Sequence, residues 1–82
     1  MGELSMGARL VSCFQIVFPQ LPVKQIPVAE QDSVESWDSV AAITLISVIE
    51  DEFQVKLDLE LLPELTSFAA ILAHLRQLQA TA

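Results

Sequence analysis

The chain has 82 residues, a formal net charge of −7 and 52% hydrophobic residues. That length holds one domain, and the apolar content excludes disorder throughout. The single cysteine, Cys13, excludes an internal disulfide framework or a cysteine-built zinc cluster and fits a reducing compartment.

The amino terminus shows no basic segment followed by a long apolar run, as a secretory leader would. Residues 3–18 read as a first helix, with Leu4, Val11, Phe14 and Phe18 near one face and Leu10 and Val17 widening it. Pro19 stops it. Cys13 lies inside this helix and reads as a small core or boundary residue, since no basic group is placed to activate it.

Residues 19–37 form a long connection, because Pro19, Pro22 and Pro27 make a continuous α-helix untenable. Leu21, Val23, Ile26 and Val28 are its expected anchors. The second helix is expected over 39–53, with Asp38 as its N-cap. Val40, Ile43, Val48, Ile49 and Phe53 are its expected core face, and Ile46 falls on the outer side. The run from Val40 to Ile49 contains Thr44 and Ser47 and is far shorter than the roughly 20 residues of a membrane span. A short third helix is expected over Asp58 to Leu62, limited by Pro63. The last helix begins near Thr66 or Ser67, and Phe68, Ile71, Leu72, Leu75 and Leu78 give it the cleanest amphipathic pattern in the chain.

The acidity is uneven: ten acidic residues and one basic residue, Lys56, lie between Glu30 and Glu64. Such a field repels nucleic acid and attracts basic protein surfaces, and it also keeps an apolar chain in solution. Catalysis needs a nucleophile, a base and an orienting group together. One histidine, one cysteine and no tyrosine supply no such set, and no phosphate-binding glycine loop or metal motif is present. His74 reads as a surface or boundary residue. Consecutive helical positions Glu50, Asp51 and Glu52 point in different directions and read as a solvated face rather than a cation site. Ser39 differs through its position. At the first turn of a helix, unpaired backbone N–H groups and the helix dipole favour an attached phosphate. Spacing alone leaves both readings open: Ser39 as a modified hydroxyl, or Ser39 and Asp38 as plain caps.

Asp38-Ser39-Val40, the exit Ile49-Glu50-Asp51-Glu52-Phe53, Leu57 and Thr66-Ser67-Phe68 resemble the acyl carrier protein family. That family has Asp-Ser-Leu, then Glu-Glu-Phe closing the second helix, then Thr or Ser with an apolar residue opening the last. From Glu35 to Leu75 the correspondence runs without a gap. Trp37 before Asp-Ser is similar to a variant among free-standing carriers, and the Gly-Gly of peptidyl carriers is absent. Trp37 is read as a hydrophobic staple against the second helix, anchoring the loop, rather than a recognition residue.

The resemblance implies an all-α four-helix bundle over residues 1–82, with three long helices, a short third helix and a long loop between the first two. It implies that Ser39 bears 4′-phosphopantetheine, taken from coenzyme A by a phosphopantetheinyl transferase, with an acyl group held as a thioester on the arm. The chain would then be a carrier and not an enzyme. It would be a cytoplasmic monomer with no nucleic-acid partner and no membrane span, serving an acyl-loading enzyme and a ketosynthase or other acyl-processing enzymes. Val40 stands where the family has Leu, and Ala41 and Thr44 stand where fatty-acid carriers often have acidic residues. That less charged face points to polyketide or specialised fatty-acyl synthesis. The docking residues expected are Asp38, Val40, Ala41 and Ile46 with neighbouring Ala42, and Glu50 and Asp51 as an acidic rim. The alternatives are an aminoacyl or aryl carrier, and a helical interaction module that bears no arm.

Overall fold

The computed structural model describes residues 5–80. Three α-helices carry the fold: α1 (Met6–Val17), α2 (Ser39–Phe53) and α3 (Phe68–Ala80). The class is all-α, as expected. The short third helix is a 3₁₀ segment, Leu59–Glu64, and a second 3₁₀ segment, Val23–Val28, stands inside the long loop. Proline forbids α-helix there but not short i→i+3 turns, and each segment contains one, Pro27 and Pro63.

Each helix starts on a side-chain cap. Ser5 Oγ accepts from the Ala8 N–H at 3.1 Å, Asp38 Oδ1 from the Ala41 N–H at 2.8 Å, and Ser67 Oγ from the Ala70 N–H at 3.0 Å. Such caps occupy backbone donors that have no partner within the helix, each contributing about 1 kcal/mol. The Phe18 N–H closes α1 on the Phe14 carbonyl at 2.7 Å, directly before Pro19. Leu4, expected on the face of this helix, lies outside the described residues.

Helix α1 is the central element, packing against α2, α3 and the first 3₁₀ segment. Its Leu10, Cys13 and Phe14 are buried, which makes Cys13 a core residue. Phe14 gathers an aromatic cluster, 5.9 Å from Phe18, 5.4 Å edge-on from Trp37 and 5.3 Å from Phe68 (ring centroids). The long loop is packed down by Ile26, Ala29, Val34 and Trp37, all buried. Two expected anchors are corrected: Val23 is 53% exposed and Val28 75% exposed, because the tight 3₁₀ turn directs only Ile26 inward. Leu21 is half-buried against the core.

The face of α2 is also corrected. Ala42, Leu45, Ile46, Ile49 and Phe53 are buried, whereas Val40 and Ile43, expected inside, are 73% and 47% exposed. Ile46, expected outside, is 4% exposed. Burial at i, i+3, i+4 and i+7 selects one stripe, and 42/45/46/49/53 is that stripe.

A backbone stitch joins the loop to the start of α3. Glu30 and Ser67 form an antiparallel bridge, with Gln31 N–H donating to Thr66 O at 2.8 Å and Phe68 N–H to Ala29 O at 3.0 Å. It holds the loop beside the amino end of α2.

Candidate functional site

Ser39 is the first residue of α2 and is exposed. Asp38 takes the capping role through its bond to Ala41, and its carbonyl accepts from the Ala42 N–H at 2.9 Å. The Ser39 hydroxyl is therefore not consumed in capping. The Ser39 and Val40 N–H groups precede the first intrahelical bonds, so they stay open to an acceptor beside that hydroxyl. An exposed alcohol next to uncommitted donors at the positive end of a helix fits an attached phosphate.

Beside Ser39 opens a cleft of about 210 Å³ lined by Gln31, Ala42, Ile43, Leu62, Pro63 and Thr66. The loop, α2, the second 3₁₀ segment and the approach to α3 all contribute to it. Trp37, immediately before the site, is buried against Phe14 and Phe18, and its indole N–H has no partner. It anchors the loop, as expected, but its ring contacts are with Phe14 and Phe18 at the end of α1 rather than with the second helix to which a staple was expected to pin it.

The other expected docking residues divide. Val40 is exposed and Ala41 half-buried, both near Ser39, and Asp51 is exposed further along. Ile46 is in the core and offers no surface. Glu50 is half-buried, and its Oε2 accepts from the Leu57 N–H at 2.7 Å, tying down the chain after α2. Lys56 shares an open hollow of about 440 Å³ with Glu50 and Asp51 and dilutes the acidity there. Ile43 and Ser47 are the outward residues that sequence reasoning missed, beside Thr44, which it had placed on that face. The polar spacing Thr44, Ser47, Asp51 was the available signal, since it marks one outward stripe that also includes Val40.

The carboxyl end of α2 is held by Arg9 of α1. Its Nε lies 3.0 Å from Glu52 Oε2, its Nη2 donates to the Glu52 carbonyl at 2.7 Å, and its guanidinium sits 4.5 Å from the centre of the Phe53 ring. A cation there complements the negative end of the helix. Below it, burial and then the Glu52 charge push the Cys13 thiol up to about 11, with Arg9 acting in the opposite direction. A thiol so protonated is no nucleophile near neutral pH. Among the described residues no group of His, Cys, Asp and Glu could hold a metal ion, and no helix is long and apolar enough to cross a membrane.

The family described as phosphopantetheine attachment site matches residues 22–75. The chain belongs to that family. Comparison with curated proteins and with solved structures gave no match. The phosphopantetheine-attachment match runs from the first 3₁₀ segment through the long loop and α2 into α3, and so takes in every residue of the cleft. A member of this family is a carrier of 4′-phosphopantetheine and not an enzyme, as expected. Its dealings are with a phosphopantetheinyl transferase and with acyl-processing enzymes. The arm supplies a terminal thiol for cargo; this chain's residues supply the attachment oxygen and the surface around it.

Proposed function

We propose that Ser39 is the attachment residue and that the chain, read as a single carrier domain over 1–82, is an acyl carrier protein of polyketide or specialised fatty-acyl synthesis. The observation that carries this reading is the division of labour at the start of α2: Asp38 caps the helix, while the Ser39 hydroxyl stands exposed beside open N–H groups. A transferase needs a serine hydroxyl that its own active site can reach, and no other described serine combines exposure at the start of a helix with the family sequence. Ser5 and Ser67 cap their helices, and Ser33 and Ser12 hydrogen-bond to nearby backbone.

The pathway reading rests on the outward face of α2. Val40, Ala41, Ile43, Thr44 and Ser47 place apolar and neutral groups there, with Asp51 at the edge. Partners such as an acyl-loading enzyme and a ketosynthase would meet an apolar patch flanked by acid, rather than a wholly acidic helix. With Ile46 in the core, Ile43 takes its place in the docking patch beside Asp38, Val40 and Ala41. The chain works as a cytoplasmic monomer in this reading.

The test is coexpression with a broad-range phosphopantetheinyl transferase and measurement of intact mass. The wild-type chain is expected to gain one phosphopantetheine, and Ser39→Ala to gain none. A chain that stays unmodified beside a transferase competent on other carriers would instead be a helical module without an arm.

A further inference from the structure

A groove of about 390 Å³ opens between the turn that follows α1 and the turn that precedes Trp37. The first turn contributes Gln20, Leu21 and Pro22 to its lining, and the second contributes Val34, Glu35 and Ser36. Both turns are braced. Leu21 N–H donates to Phe18 O at 3.0 Å and Trp37 N–H to Val34 O at 2.9 Å, and the buried rings of Phe18 and Trp37 meet with their centroids 5.6 Å apart. Walls held in this way cost an occupant little to order.

The charge around the groove is one-sided. Residues 30–38 hold four acids, Glu30, Asp32, Glu35 and Asp38, and no base. All four are exposed, and none is in an ion pair among the described residues. The outward face of α2 beside Ser39 is neutral by comparison, with Val40, Ile43 and Thr44. Free negative charge near the attachment residue is therefore on the loop and not on the helix.

Geometry selects the partner. Ser36 stands three residues before Ser39, so their Cα atoms lie within about 11 Å of each other. Enzymes that act on the cargo meet the far end of the arm and need not touch this part of the chain. The transferase has to bring the phosphorus of its donor to about 3 Å from the Ser39 oxygen. An interface of ordinary size covers about 800 Å² on each partner, a disc about 16 Å in radius. Centred on Ser39, such a disc takes in Ser36 and its edge of the groove. The donor, coenzyme A, is a polyanion, so the surface that holds it is cationic. In the transfer the Ser39 oxygen bonds to the phosphorus next to the pantetheine and the pyrophosphate bond breaks. The nucleotide leaves with that electron pair, and a base on the transferase takes the serine proton.

We propose that this groove is a docking point for the phosphopantetheinyl transferase. It receives a lysine or arginine of that enzyme, whose stem lies on Leu21, Pro22 and Val34 and whose head meets Glu35. The docking point rests on the assignment of Ser39 made above.

The test measures kcat and KM for the unmodified full chain as substrate of a broad-range phosphopantetheinyl transferase with coenzyme A. Glu35→Lys is expected to raise KM about tenfold and Glu35→Gln about threefold. In both, kcat stays at the wild-type value, because the reacting serine is untouched and only binding is lost. Gln20→Trp fills the groove without a change of charge, from a residue far from Ser39 in the sequence, and should raise KM about fivefold. Glu60→Lys makes the same change of charge as Glu35→Lys, but on the second 3₁₀ segment, and should keep the wild-type KM at 0.15 M salt, where screening acts over about 8 Å. All of these side chains are exposed, so the urea midpoints should match wild type. A wild-type chain that gains no arm overturns both the Ser39 assignment and the docking point. Attachment at Ser39 with wild-type KM in Glu35→Lys and Gln20→Trp overturns the docking point alone. So does a rise in KM for Glu60→Lys equal to that for Glu35→Lys, which would reduce the effect to the overall charge of the chain.

Discussion

The two ends of α2 are built to opposite plans. At the carboxyl end, Arg9 engages Glu52 and the ring of Phe53, Glu50 ties down Leu57, and Gln54 turns the chain out in a left-handed conformation at φ 55°. At the amino end a single cap holds the helix, and Ser39, Val40 and Ile43 face outward without such ties. The acidic cluster, which in the sequence looked like free docking charge, is partly employed in holding the fold. The neutral, apolar end keeps exposed side chains free of such ties, which supports the docking patch proposed there. One helix thus carries a fixed base and an available tip.

Four experiments can break or sharpen this contrast. The largest stability effect is expected from Ile46→Ala, which removes a buried side chain and should cost about 2–4 kcal/mol in a urea titration. Its neighbour Ile43→Ala should cost less than about 0.5 kcal/mol while slowing turnover by partner enzymes. Equal destabilisation by the two would mean that the outward face is misassigned. Next, Arg9→Ala should lower stability by about 1–2 kcal/mol, since it removes a charged hydrogen bond and a cation–aromatic contact together. Attachment at Ser39 should continue unaltered, and a loss of attachment would show that the two ends are coupled. Third, Glu50→Ala should cost about 1 kcal/mol, whereas Glu50→Gln, which keeps an acceptor for Leu57, should cost less. If the two variants are equally stable, the Leu57 bond contributes nothing.

The smallest effect concerns pH and lies under the fixed end, at Cys13. Its folded thiol is pushed up from 9.0 to about 11, so the unfolded chain releases this proton first. The stabilisation is fully present below 9.0 and is lost as pH rises toward about 11. The urea midpoint should therefore fall across that interval in wild type and fall less in Cys13→Ala.

Much of this was legible in the sequence, for identifiable reasons. Proline positions and short polar caps bounded the helices: Pro19 closed the first, Asp38 opened the second and Ser67 the last. The candidate serine followed from its place at a helix start together with the spacing of the family residues. The orientation of α2 did not follow, because the helix is apolar nearly all round from Val40 to Ile49, and apolar periodicity cannot choose a face when both faces qualify. The sparse polar residues would have chosen better. Proline also led the loop to be read without helix, although it is compatible with the 3₁₀ turn that buries Ile26. The lock by Arg9 joins residues far apart in the chain and leaves no local trace. Neither does the cleft, whose walls come from four separate stretches.

The stitch between Glu30 and Ser67 has a consequence for hydrogen exchange. The amide protons of Gln31 and Phe68 are held by bonds across the same bridge, so they should exchange with deuterium as a linked pair despite sitting in different parts of the chain. Opening that bridge would release the loop and the first turn of α3 as one cooperative unit, while the amides at the middle of α2 keep their protons longest.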